Sequence, residues 1–248
     1  YSDRDTKEKI ANNPNFSNLK KHLDKYQDYI SSSNKPYGLH RPRNSDYFIK
    51  EKIIFKNMFV SPEFTIDTEG FYLGFSFSSI LQKSKDFTLK YLLAILNSKF
   101  ASFWFYQNGK MRGAGVDIGV EKLRLFPISP CEQKEKFETL TEYLIYLNDN
   151  SKEQVVKHTE NARLASHIED VLNMMVYELY FESHMKETGI DVLQFIHPKS
   201  FTELDKDKDI AATILSFYYW LQTPDNPVRQ RINVVDIKSP GIISHINA

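Results

Sequence analysis

The chain has 248 residues, enough for one large or two ordinary domains with interiors of their own. Apolar residues at 41% and aromatics at 14% exclude a disordered polymer, and a single cysteine, Cys131, excludes an internal disulfide or a cysteine-cluster metal site. The net charge is zero, yet residues 35–126 carry 14 Lys and Arg against 8 Asp and Glu, while residues 127–248 carry 12 against 19. A basic stretch followed by an acidic one can present a positive face in a neutral chain.

The opening "YSDRDTKEKI" has no signal-peptide pattern, and no apolar run approaches the ~18 residues of a membrane span. With one cysteine, the expectation is a soluble, cytoplasmic protein with no membrane partner.

In chain order, "NLKKHLDKYQDYI" (18–30) spaces Leu19, Leu23, Tyr26 and Ile30 along one helix face, and "SSSNKPYG" ends it. From Lys52 the pieces "KIIFKNMFV", "EFTIDTEG" and "FYLGFSFSSI" are rich in β-branched and aromatic residues. In the third, Phe71, Leu73, Phe75 and Phe77 alternate with small or polar positions, the period of a half-buried strand. Residues 52–80 therefore predict an antiparallel β meander.

"FTLKYLLAILNSKFASFWFYQN" (87–108) predicts one buried helix, apolar on most faces and stopped at Asn108–Gly109. After Pro130, helices are expected in "EQKEKFETLTEYLIYLN", in 155–185 with the stripe Leu164, Ile168, Val171, Leu172, Met175 and Leu179, and in "DIAATILSFYYWLQ". The fold class is thus α+β: an antiparallel meander with a buried helix, then a mostly helical C-terminal region. The expected units are a helical lead-in (1–34), an α/β module (35–130) and a helical region (131–248).

No catalytic constellation is present. The seven histidines show no HExxH or other close metal spacing, and Cys131 has no evident histidine partner. "GAGVDIG" lacks the strand–GxGxxG–helix order of a dinucleotide site. "NPNF" (13–16) comes near the Asn-Pro-Pro-aromatic motif of adenine methyltransferases, but Asn15 stands where the motif needs its second proline. Asp117, Glu121 and Lys122 do not match the Asp…Glu-x-Lys spacing of a nuclease. No catalytic, cofactor or metal residue is therefore assigned.

The remaining functional groups are cationic. "GLHRPRNSDYF" (38–48) sets Arg41 and Arg43 on either side of Pro42, whose ring restricts both itself and its predecessor. "QNGKMRGAGVDIG" (107–119) concentrates four of the nine glycines around Lys110 and Arg112. Its glycines permit positive φ and close backbone approach, so a loop is expected, and both pieces suit a phosphate backbone or a guanine edge.

In this order the pieces "GLHRPRNSDYFIKEKIIFKNM", "IDTEGFYLGFSFSSI" and "YLLAILNSKFASFWFYQNGKMRGAGVDIGVEKLRLFPIS" resemble the TaqI-like C-terminal specificity domain of adenine-specific DNA methyltransferases and fused type II restriction–modification enzymes. The downstream "LNMMVYELYF" and "GIDVL" are similar to the helical tail of the larger fused members, so the resemblance spans about 18–196. It implies a target-recognition domain that holds double-stranded DNA against a separate, upstream methyltransferase domain. That domain flips out the adenine and methylates it from S-adenosylmethionine; whether such a parent also cleaves DNA stays open. Its cofactor motifs would lie outside this chain, which alone would bind no cofactor and transfer no methyl group.

The boxes of the resemblance supply the candidate DNA contacts. They are His40, Arg41 and Arg43 in "LHRPR", Lys56 and Asn57 after the Lys-Ile-Ile strand, Lys99 in "AILNSK", and Lys110 and Arg112 in the glycine segment. The alternative is a protein-interaction or structural module using the acidic helical half.

Overall fold

A computed structural model describes residues 3–30, 35–38, 44–150, 153–157, 159–197 and 210–248. Two short helices, α1 (Thr6–Asn12) and α2 (Ser17–Asp24), open the chain. The helix expected over 18–30 stops at Asp24 and gives way to a 3-10 turn at Gln27–Tyr29. Its apolar face finds little cover: Leu19 and Tyr26 are exposed, and Leu23 and Ile30 are half-buried.

After α3 (Asp46–Ile49) come β1 (Lys52–Lys56), β2 (Met58–Phe59), β3 (Phe64–Asp67) and β4 (Phe77–Ile80). The strands are antiparallel, but they do not form the expected meander. β1 is the central strand, flanked by β3 and β4, whereas β2 pairs in a second sheet with the later strand β6 (Gly115–Asp117). Asn57 makes the switch between sheets. Its backbone N–H donates to Ser76 O (2.8 Å), its Nδ2 to Phe75 O (3.1 Å), and its own carbonyl accepts from Ile118 N (3.0 Å).

The alternating stretch from Phe71 is also not a strand until Phe77. The Asp67 carboxylate accepts backbone N–H bonds from Glu69 (2.9 Å), Gly70 (3.0 Å) and Phe71 (2.9 Å), and Gly70 takes φ +82°. An aspartate gathering the amides ahead of it makes a turn, and this local pull overrides the period-2 signal. The alternation therefore has no buried face.

The predicted helix over 87–108 is two helices, α4 (Leu89–Leu96) and α5 (Lys99–Asn108). Asn97 leaves the helical path to pair with both backbone groups of Phe64, each at 2.9 Å, and the Ser98 side chain caps α5 by accepting from Ala101 N at 3.1 Å. An N-cap serine satisfies one of the orphan amides of a helix start, so the chain can stop and restart within two residues.

Beyond α5 lie β5 (Lys110–Arg112), β6, α6 (Gly119–Leu123), α7 (Lys134–Asp149), α8 (Asn161–Thr188), α9 (Ile210–Leu221), α10 (Pro227–Lys238) and α11 (Ile243–Asn247). The stripe foreseen on α8 is buried, apart from the half-buried Leu179. The helix bends at Phe181 (φ −130°) and ends on the left-handed Gly189. The architecture is α+β, as the patterning implies.

One apolar interior runs from Ile53 and Phe55 through α4, α5, α7 and α8 to Ile243, crossing Pro130 without a break. Tyr91 and Tyr180 pin the proline turn by donating to Ser129 O (2.7 Å) and Pro127 O (2.6 Å). Thr88 donates to Glu138 (2.6 Å), and Lys90 pairs with Glu142, so α4 is tied to α7 at the surface as well.

Candidate nucleic-acid interface

The glycine-rich segment is a β-hairpin rather than a loop. β5 pairs with β6 in the register Lys110–Asp117, Met111–Val116 and Arg112–Gly115, joined by a two-residue turn at Gly113–Ala114. Gly113 has φ +61°, the positive value that the first residue of such a primed turn requires. Two other glycines serve close packing within the protein, not approach to a ligand. A Cβ on Gly109 would lie 2.7 Å from Phe105 O, and one on Gly115 would lie 2.8 Å from Phe59 O.

The inner face of the hairpin buries Val116 beside Phe59, whose ring meets Phe105 of α5 edge-on with centroids 5.7 Å apart. This packing fixes the outer face. There Lys110 stands opposite Asp117, and Arg112 Nε donates to Asp117 Oδ2 at 3.1 Å. Met58 faces Asp117 from the other side. Two residues back, Lys56 lies opposite Phe77 and is paired with Glu63. Neighbour by neighbour, an exposed row thus leads from Phe77 through Lys56 and Met58, across the half-buried Asp117, to Lys110 and Arg112.

Beside the row projects the 71–76 loop, in which Phe71, Tyr72 and Phe75 are exposed, Phe75 to 97%. Here Asp67 holds the loop at one end, Asn57 holds it at the other, and Phe48 stacks on Tyr72 with centroids 4.8 Å apart. Under the loop lies a buried ion pair. Lys52 is 0% and Asp67 1% exposed, and Lys52 Nζ also donates to Phe48 O at 2.7 Å. Burial opposes ionisation of Asp67, but the Lys52 ammonium and the amides of Phe71 and Glu69 outweigh it and hold its carboxyl below the ordinary range.

The candidate residues fall into three groups. Lys56, Lys110 and Arg112 share the row described above. Asn57 is half-buried and structural: besides its bonds to the loop, its Oδ1 accepts from Ser78 Oγ at 2.6 Å. Lys99 belongs to another surface. It opens α5 at the end away from the hairpin, about 15 Å along the axis, with its backbone N–H on Asn173 Oδ1 at 2.8 Å. Its charge acts on Glu169 and Asp170 of α8, whose carboxyls partial burial pushes up and Lys99 draws back down. His40, Arg41 and Arg43 lie outside the described residues.

Sequence reasoning missed the exposed aromatics of 71–76 and the part played by Asp117. The "DTEG" turn chemistry was the available signal for the loop; nothing local signals that Asp117 faces Lys110. Among the described residues no helix is long and apolar enough to cross a membrane, and no group of three or more His, Cys, Asp or Glu could hold a metal ion.

The scaffold is that of a small two-sheet α+β unit that displays a cationic hairpin and a pinned aromatic loop on a helical base. Residues 7–128, from α1 to the start of the proline turn, match the family model of the TaqI-like C-terminal specificity domain. No curated protein matches the chain.

Proposed function

We propose that this chain is the target-recognition part of an adenine-specific (N6-adenine) DNA methyltransferase or type II restriction–modification enzyme. In this reading residues 35–130 hold double-stranded DNA. A separate methyltransferase domain of the same protein, supplied with S-adenosylmethionine, performs the transfer. The match of residues 7–128 to a specificity domain carries the proposal. The exposed row of Lys56, Lys110 and Arg112 beside the 71–76 aromatics supports it, since cations meet phosphates and guanine edges while rings meet bases.

The division of labour has a physical basis. Turning an adenine out of the helix costs a few kcal/mol of stacking and pairing, which contacts made elsewhere on the DNA must offset. A rigid recognition surface supplies such contacts without touching the reacting atoms. The helical region would then serve as the base on which that surface is mounted.

Fluorescence anisotropy with a labelled duplex, taken across a salt series, tests the proposal. Neutralised phosphates release counterions, so log K should fall steeply and linearly with log salt. Weak binding with a flat salt response would instead favour a protein-interaction module.

A further inference from the structure

We propose that Asp117 is a positioning residue for sequence reading: it fixes the guanidinium of Arg112 so that only one edge of the fork is offered to a base. The inference rests on the DNA-recognition reading above and concerns the same surface.

The geometry is specific. Arg112 spends its Nε–H on Asp117 Oδ2 at 3.1 Å, which leaves the Nη1 and Nη2 edge with two parallel N–H groups. That edge is what guanine O6 and N7 accept. Arg112 is the last residue before the turn and Asp117 the third after it, both on paired strands, so their backbones are set before any ligand arrives. An ion pair this exposed contributes little to stability. Its cost to binding is plain, because a carboxylate on a surface that meets phosphates repels them. A carboxylate retained between two cations is understandable if it orients one of them. A long arginine left loose would surrender rotamer freedom on binding and could present several edges to several bases.

The two effects of Asp117 have opposite signs, which makes them separable. The 248-residue chain is incubated with a pool of duplexes randomised over ten base pairs, and the retained fraction is sequenced. Asp117→Ala should flatten the preference at one base pair by about five- to a hundredfold, the range of one lost bidentate contact. At the same time, affinity for bulk duplex should stay level or rise. Asp117→Asn, which keeps an acceptor for Nε–H, should retain most of the preference, and adding Asp117→Ala to Arg112→Ala should change the preference no further. If Asp117→Ala shifts all sequences alike and leaves the preference intact, Asp117 merely screens charge and the inference is wrong. If the unaltered chain retains no duplex at any salt concentration, the recognition reading fails and takes this inference with it.

Discussion

The two halves of the chain treat apolar side chains differently. Among the described residues, fifteen large apolar side chains are exposed before Pro127 and three after it: Tyr219, Val234 and Ile237. The helical half satisfies itself; the sheet-bearing half leaves rings and methionines in water and spends buried ion-pair chemistry on holding them there. Surface scatter explains single exposed residues but not a pinned loop with three exposed aromatics. The contrast supports the proposed reading, in which the helical half is the mount and the sheet half the face that meets DNA.

The contrast should break most completely at Lys52. Lys52→Met removes the only ammonium beside the buried Asp67 carboxylate among the described residues, and a stranded buried charge costs about 3–5 kcal/mol. Urea unfolding should show that loss, with duplex binding falling as the 67–71 turn relaxes. The pH dependence carries its own sign. The folded carboxyl titrates below its unfolded value, so the stability from Asp67 is present above about pH 4 and is lost as pH falls toward the folded value. In Lys52→Met this acid-side loss should vanish or reverse. An unchanged acid limb would show that the pair does not hold the loop.

Phe75→Ala should do the opposite kind of damage. A ring this exposed adds almost nothing to the fold, so stability should move by no more than about 0.5 kcal/mol. Binding should weaken by roughly 1–3 kcal/mol if the ring stacks on a base. Equal affinity in the two proteins would remove the loop from the DNA face and return it to protein contact.

How far the sequence reached follows the range of the forces involved. The helices α7, α8 and α9 were legible because their stripes are local and face a core wherever it lies. The sheet was not. Its order depends on Asn57 joining three segments distant in sequence, and its edge depends on Asp67 outcompeting an alternating pattern. The break between α4 and α5 was hidden because Asn97 and Ser98 show their purpose only beside Phe64. The cations of the site were found as residue types in motifs. Their grouping was not, since nothing in "AILNSK" says that Lys99 faces α8 while Lys110 faces out.

Lys110→Ala tests that grouping at smaller amplitude. If the lysine contacts a phosphate, binding should weaken for all sequences alike, and the slope of log K against log salt should drop by about one. A change of site preference would instead make Lys110 a base reader.

The smallest effect on binding is expected at Lys99. Its position beside Glu169 and Asp170 predicts that Lys99→Ala leaves both duplex affinity and salt slope as they are, in direct contrast to Lys110→Ala. The consequence should show in stability, and its sign is set by the two carboxyls. Both titrate above their ordinary values in the folded chain, so the fold holds their protons more tightly than the unfolded chain does and loses stability as pH rises through that range. Lys99 limits this by drawing both values down. Without it they move further up, and the variant should be less stable than the parent at pH 7, by under about 1 kcal/mol for so exposed a partner. The deficit should fade below about pH 4, where the carboxyls are protonated whether the chain is folded or not. Urea midpoints at pH 7 and pH 3.5 measure it. A deficit equal at both values would show that Lys99 acts through its apolar stem, and a reduced salt slope in DNA binding would restore it to the recognition face.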